Sequence, residues 1–203
     1  MTTIPPPREV ALFPLHTVLF PEGPLALRIF EPRYLDMISE CLRNEQPFGV
    51  CLIASGQEAG EAARPHLTGT FARITDWQTG DDGLLSITAL GEERFHIQDT
   101  RVERSQLLRG TVQPLGPEPR APLPDTHRYM VDVIDRLFEH AGELYAGMVK
   151  RSDDASWVGY RLAEVLSLPL VRRQYFLELE DPLLRLDQLD EIMRSMSDSA
   201  DDT

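Results

Sequence analysis

Lysine is almost absent from this sequence, and its scarcity excludes two kinds of active site. Lys150 is the only lysine among 203 residues. A nucleotide-binding P-loop needs Gly-x-x-x-x-Gly-Lys-Ser/Thr, in which the lysine contacts the phosphates. A serine–lysine protease dyad needs a lysine that loses its proton through burial, whereas Lys150 stands beside Arg151 in a polar stretch. We therefore expect neither an ATP-driven motor nor this type of protease here, and we predict that the chain is not an enzyme.

Cysteine is also scarce, and the potential metal ligands are dispersed. Cys41 and Cys51 lack the CxxC spacing of redox pairs and zinc sites, so we expect both to be reduced core residues. The five histidines form no zinc-binding motif on a helix. A Gly-x-Ser-x-Gly nucleophile elbow does not occur either. We predict no metal and no cofactor.

Long apolar runs are missing, and the charge balance is acidic. No 18 consecutive residues are apolar, and the first ten, MTTIPPPREV, lack the apolar stretch of a signal peptide. A cytoplasmic location is expected. The formal net charge of -13 comes with scattered arginines rather than a basic stripe. Nucleic acid and anionic membrane surfaces are therefore not expected as partners.

Proline, by contrast, is concentrated in one place. Five prolines fall within Pro114–Pro124, a composition that favours an extended and semi-rigid spacer. We divide the chain there into a β-rich subdomain at residues 1–113, a linker at 114–124 and a helical bundle at 125–194. An acidic disordered tail is expected at residues 195–203 because no apolar period continues there.

Short runs of branched and aromatic residues before the linker predict strands, with one helix among them. Thr79–Gly83 predicts a hairpin turn, and a second hairpin is expected at Gln98–Thr100. The helix begins near Pro32, with Glu31 expected to help cap it. The predicted strands are Glu9–Phe13, Leu25–Ile29, Phe48–Ile53, Gly69–Ile74 and Leu84–Leu90.

After the linker the apolar period becomes helical. Apolar residues from Met130 to Met148, including Leu137 and Ala141, fall on one stripe and predict a single long helix. Further helices are expected after Asp154, from about Pro169 to Leu179, and from Asp181-Pro182, where the carboxylate can cap free amides. The fold class is therefore predicted as α+β.

Two stretches of the first half are more specific than general strand patterns. They are Leu12-Phe-Pro-Leu-His-Thr-Val-Leu-Phe-Pro21 and Leu25-Ala-Leu-Arg-Ile-Phe-Glu-Pro-Arg-Tyr34. Their order resembles the amino-terminal, substrate-recognition domain of Lon proteases, in particular single-domain bacterial relatives that lack the ATPase and protease modules. The resemblance leads us to expect asparagine where His16 stands. Further matches follow in order at Phe48–Ile53, Gly69–Ile74, Gly83–Ile87, Gly91–Ile97, Leu162–Leu170 and Asp181–Leu186.

The resemblance implies a pseudo-barrel of the PUA-like type followed by helices, and a surface that binds unfolded protein or peptide segments. A protease or a chaperone is the implied partner, with this chain as an adaptor. We expect the groove between the two halves to be lined by Phe20, Phe30, Arg33, Tyr34 and Leu137. Two alternatives stay open: a hydrolase whose site is assembled only in the fold, and an RNA-binding barrel, which would need a basic concave face.

Overall fold

The chain divides after Pro117 into a β-rich unit and a helical unit. The structure is a computed structural model, and it describes residues 5–140 and 142–201. The division falls inside the proline-rich segment Pro114–Pro124, where missing backbone donors prevent regular hydrogen bonding. The strands lie before this boundary with one helix among them, and the remaining helices lie after it, so the predicted α+β class is confirmed.

The β-rich unit contains six strands and one helix. In chain order they are β1 (Arg8–Leu15), β2 (Pro24–Ile29), α1 (Pro32–Asn44), β3 (Phe48–Ser55), β4 (Arg64–Thr79), β5 (Leu85–Val102) and β6 (Leu108–Pro114). Pro32 stands in the first turn of α1, where its missing N–H has no intrahelical partner to lose.

Strand β5 organises the sheet because it pairs with three neighbours. Its first half pairs with β2, its second half pairs with β6, and both halves pair with β4. Passing from β5 through β4, β3, β1 and β6 leads back to β5, so five strands form a closed ring. Within this ring β1 and β3 are parallel. Strand β2 lies outside the ring, against β5.

Strand β1 is buried on both of its faces. Val10 and Leu12 belong to a cluster with Phe71 and Phe95, whose rings lie 4.7 Å apart between centroids. The alternate residues, such as Phe13, belong to a second cluster that includes the apolar face of α1. Because side chains alternate across a strand, β1 contributes to two cores at once.

The helical unit is built around its second helix. Its helices are α2 (Tyr129–His140), α3 (Ala155–Val165), α4 (Leu170–Glu178) and α5 (Pro182–Asp201). Helix α3 packs against each of the other three, and its residues 155–163 are all buried. Asp154 and Asp181 cap α3 and α5, because their carboxylates accept hydrogen bonds from first-turn amides, as predicted for Asp181.

Two predicted elements differ from the structure. The hairpin expected at Gln98–Thr100 is wrong: β5 continues through these residues with a register shift, and the turn lies at Glu103–Leu107. The single long helix is also wrong, because α2 ends at His140 and a short 3-10 helix follows at Gly142–Tyr145. Ala141 lies outside the described residues. Gly142 follows, and glycine lowers helix propensity by about 1 kcal/mol relative to alanine. The prediction considered only the apolar residues and so did not take this glycine into account.

The predicted tail differs as well. Helix α5 extends to Asp201 rather than ending before Ser195. A missing apolar period does not by itself end a helix, and no proline or glycine interrupts the sequence there. Residues 202–203 lie outside the described residues.

Candidate substrate-binding surface

The segment Leu12–Pro21, which carries much of the family resemblance, is built into the core. Its apolar side chains from Leu12 to Phe20 are buried. The Thr70 hydroxyl donates to the Leu19 carbonyl at 2.6 Å, which satisfies a buried acceptor. Next to it, the backbone at Phe20 passes so close to Gly91 that an added Cβ would lie 2.2 Å from the Phe20 carbonyl oxygen. These residue types are therefore required for packing.

Arg33, at the start of α1, holds two loops against the helix. Its guanidinium donates to the carbonyls of Gln106 at 2.8 Å and Glu58 at 3.1 Å, and it contacts the Glu31 carboxylate at 2.9 Å. Glu31 occupies the N-cap position, yet its side chain makes no capping hydrogen bond. Glu31 is therefore the N-cap residue of α1, as expected, although its carboxylate serves as counter-ion to the buried Arg33 and does not bond a free amide.

Tyr34 continues this cluster into the core. Its ring stacks on Phe13 with 3.9 Å between centroids, and the Arg33 guanidinium lies 4.6 Å from the same ring. Burial raises the pKa of Tyr34 to about 12, despite the opposing effect of Arg33. The hydroxyl therefore stays protonated at neutral pH and serves packing rather than proton transfer.

His16, where the resemblance leads to asparagine, lies near the loop that Arg33 holds. Its backbone N–H donates to the Glu58 carboxylate, and its ring Nδ1 lies 3.3 Å from the same oxygen. The histidine thus bonds a carboxylate across the chain rather than its local backbone.

The five residues expected to bind substrate occupy different environments. Phe20, Arg33 and Tyr34 are buried. Phe30, immediately after β2, is 64% exposed. Leu137 is partly buried on α2 of the helical unit. Of these five, Phe30 has the side chain whose apolar surface is most open to a partner, and the three buried residues lie in the core of the same unit.

Trp77 is an exposed apolar residue that sequence reasoning did not identify. It is 57% exposed on β4, directly across the sheet from Ile87 and Leu27. A shallow cavity of about 360 Å³ lies at this part of the sheet, lined by these three residues together with Arg28, Asp76 and Ser86 among others. The predicted strand ended at Ile74, so Trp77 had no assigned face. The alternation of polar and apolar residues in Asp76-Trp77-Gln78 could have indicated that the strand continues to Trp77.

Two histidine–carboxylate contacts among the described residues bear on the hydrolase alternative. Besides His16 with Glu58, His127 Nε2 lies 3.2 Å from Asp187 while its Nδ1 contacts the hydroxyl of Thr126 at 3.1 Å. The contact with Asp187 joins the start of the helical unit to α5, whereas the contact with Thr126 is between adjacent residues. Within residues 5–140 and 142–201, no group of three or more His, Cys, Asp or Glu side chains is arranged to hold a metal ion.

Several arginines of the β-rich unit pair with carboxylates, which bears on the RNA alternative. Arg109 contacts both Glu40 and Glu103 at 2.7 Å, and these contacts raise its pKa. Such pairs neutralise the positive charge that a phosphate backbone would need. Further pairs are Arg28–Asp82, Arg73–Glu92 and Arg101–Glu9.

No helix of the described residues is both long and apolar enough to cross a membrane.

Known proteins share this arrangement over nearly the whole sequence. Residues 9–195 match the family model of the ATP-dependent protease La (LON) substrate-binding domain. A Lon N-terminal domain protein from Xanthomonas campestris, known from a crystal structure, is 37% identical with a TM-score of 0.75, over 90% of this chain and 96% of that one. The N-terminal domain of Mycobacterium avium complex Lon protease shares the fold, with 17% identity and a TM-score of 0.62 over 91% and 97%. The chain therefore belongs to the family of the Lon protease substrate-binding domain.

Proposed function

We propose that this protein is a non-catalytic binding module that recognises unfolded or exposed apolar segments of protein substrates and delivers them to a protease or chaperone. Family membership supports substrate recognition in proteolysis. The observation that carries the proposal is the exposure of Phe30, a large apolar side chain held between buried Ile29 and the start of α1. An exposed aromatic on a rigid base is a typical anchor for protein recognition.

Phe30 is the proposed contact residue, supported from within the unit by Phe20, Arg33 and Tyr34. Arg33 and Tyr34 lie in the first turn of α1, and their buried contacts fix the position of this helix. They thereby fix the turn between β2 and α1, in which Phe30 lies. Leu137 stays a prediction for the helical unit. The one lysine, Lys150, does not stand in a P-loop sequence, which supports a non-catalytic role for this chain.

The test is suppression of aggregation of a chemically denatured client protein, followed by light scattering. The wild-type chain is expected to suppress scattering, and Phe30→Ser to lose most of that effect without loss of stability, since Phe30 is 64% exposed. Val171→Ser, at an exposed apolar residue of the helical unit, is the matched control and should behave like wild type. If the wild-type chain neither retains the client nor slows its aggregation, the proposal fails.

A further inference from the structure

Strand β2 has one free edge. In the described part of the chain β2 pairs with β5 alone, along its whole length. Each strand of the ring has at least two partner strands, although residues 73–79 of β4 pair with β5 only. The six residue pairs from Pro24 with Leu90 to Ile29 with Leu85 leave the far side of β2 without a strand. An edge strand presents unpaired backbone N–H and C=O groups, which another extended chain can pair with.

The usual protections of such an edge are weak in β2. Proline occurs only at its first position, Pro24, and its register with β5 shows none of the shifts that interrupt the other long pairings. The one charged side chain, Arg28, is held by Asp82. Five of its six residues keep some solvent exposure, whereas six of the eight in β1 are buried.

The sheet beside this edge offers an apolar row. Leu27, Ile87 and Trp77 stand side by side across β2, β5 and β4. A strand added to β2 would place a side chain about 5 Å from Leu27 and continue that row. Phe30 follows the strand directly, so the exposed aromatic of the proposed function lies at the end of the same edge.

The charge near the edge selects the chemistry of the partner. Residues 22–30 and 75–86 contain four acidic side chains against Arg28 alone, and these are Glu22, Asp76, Asp81 and Asp82. On the outer face, Ala26 and Asp76 lie in one row through Thr88. Arg28 stands on the same face of β2 as Ala26, and its charge is paired with Asp82. The other three acidic side chains leave a net negative charge near the edge, which favours an incoming strand with basic side chains opposite Ala26 and disfavours an acidic one.

We propose that the free edge of β2 captures an extended segment of the substrate as an added strand, with apolar side chains towards Leu27 and basic side chains towards Ala26. This inference rests on the proposed function and specifies its site and substrate class. Backbone pairing explains how one module accepts many sequences, because main-chain hydrogen bonds give affinity while side chains add only a preference.

The test uses a fluorescent eight-residue peptide that alternates valine and lysine, with binding followed by anisotropy. Ala26→Glu should tighten binding by about threefold and Ala26→Arg should weaken it by about threefold, since opposite charges across neighbouring strands attract modestly. A valine–glutamate peptide should show the reverse order. Ala26 is exposed, so both variants are expected to fold. Equal affinities for the two variants would overturn the proposal.

Backbone methylation then separates strand addition from side-chain capture. Methylating the nitrogens of alternate residues removes the donors along one edge of the peptide and spares the other edge. Strand addition predicts that one of the two methylation patterns abolishes binding while the other is tolerated. If both are tolerated or both abolish binding, the edge does not pair. Failure here while the chain still suppresses client aggregation rejects the edge alone, whereas loss of client binding altogether rejects the proposed function.

Discussion

Glu118, where the chain enters the helical unit, is expected to be among its most important side chains for stability. Both of its carboxylate oxygens accept hydrogen bonds from Arg185, at 2.7 and 2.9 Å. Its oxygens also accept from the hydroxyls of Ser156 and Tyr160. The Arg185 side chain is fully buried, and that of Glu118 is nearly so. Glu118→Gln removes the charge and half of the acceptor capacity with little change of shape.

The cost follows from the environment of the guanidinium. In the variant, Arg185 keeps its hydrogen bonds to the carbonyls of Phe176 and Leu179 and its position over the Tyr160 ring. It loses the one carboxylate that neutralises it. Removing one partner of a buried ion pair costs about 3–5 kcal/mol, because the remaining charge has no counter-ion and no water. We expect Glu118→Gln to lower the free energy of unfolding of the helical unit by that amount.

Urea denaturation followed by tryptophan fluorescence measures this effect. The sequence has two tryptophans, Trp77 in the β-rich unit and the buried Trp157 on α3. In a Trp77→Phe background the fluorescence therefore reports the helical unit alone. The matched control is Glu180→Gln, since Glu180 is exposed and should change stability by less than about 0.5 kcal/mol.

A second substitution tests the cause of the loss. Arg185→Met replaces the buried cation with an apolar chain, so adding it to Glu118→Gln should restore part of the stability rather than subtract more. Additive losses in the double variant, or a loss below about 1 kcal/mol for Glu118→Gln alone, would show that the charge pair is not what holds these elements together.

Three further outcomes are expected. Burial raises the pKa of Glu164 from 4.5 to about 7 despite neighbouring arginines, so the folded state binds the extra proton between these values. The free energy of unfolding of the protein should therefore fall by about 3 kcal/mol as the pH rises from 4.5 to about 7. Urea titrations of Glu164→Gln should lack this dependence on pH. A Cβ at Gly91 would lie 2.2 Å from a backbone oxygen, so Gly91→Ala should lose about 1–3 kcal/mol in urea titration, while Gly147→Ala, in open space, should be nearly neutral. Burial raises the thiol pKa of Cys41 to about 11 and that of Cys51 further, so maleimide labelling at neutral pH should require unfolding, and rapid labelling of the native chain would contradict this.

The fold was predictable where local chemistry decides the backbone. Short runs of branched and aromatic residues located five of the six strands, but not β6, and the acid–proline pair at Asp181 located the start of α5. The second hairpin was misplaced because β5 passes through Gln98–Thr100 with a register shift that depends on its partner β6, about ten residues further on. Such pairing is a tertiary property, and turn-forming residue types alone do not determine it.

The candidate site was predictable only in part, for a related reason. A motif shows which residue types are required but not whether their side chains face the core or the solvent. Phe20 and Phe30 are chemically equal, yet the first lies against Gly91 and the second is 64% exposed. Nothing in the sequence of β2 indicates that one of its edges is free. The edge is free because the other five strands pair in a closed ring that does not include β2.

The closed ring also constrains the order in which the β-rich unit forms. Strand β1 at Arg8–Leu15 pairs with β6 at Leu108–Pro114, so about one hundred residues separate the two partners. During synthesis the first strand leaves the ribosome long before the last and keeps an open side until then. Because distant pairings are slow to form and exposed in the meantime, nascent chains that end before residue 108 should be the forms most dependent on chaperones.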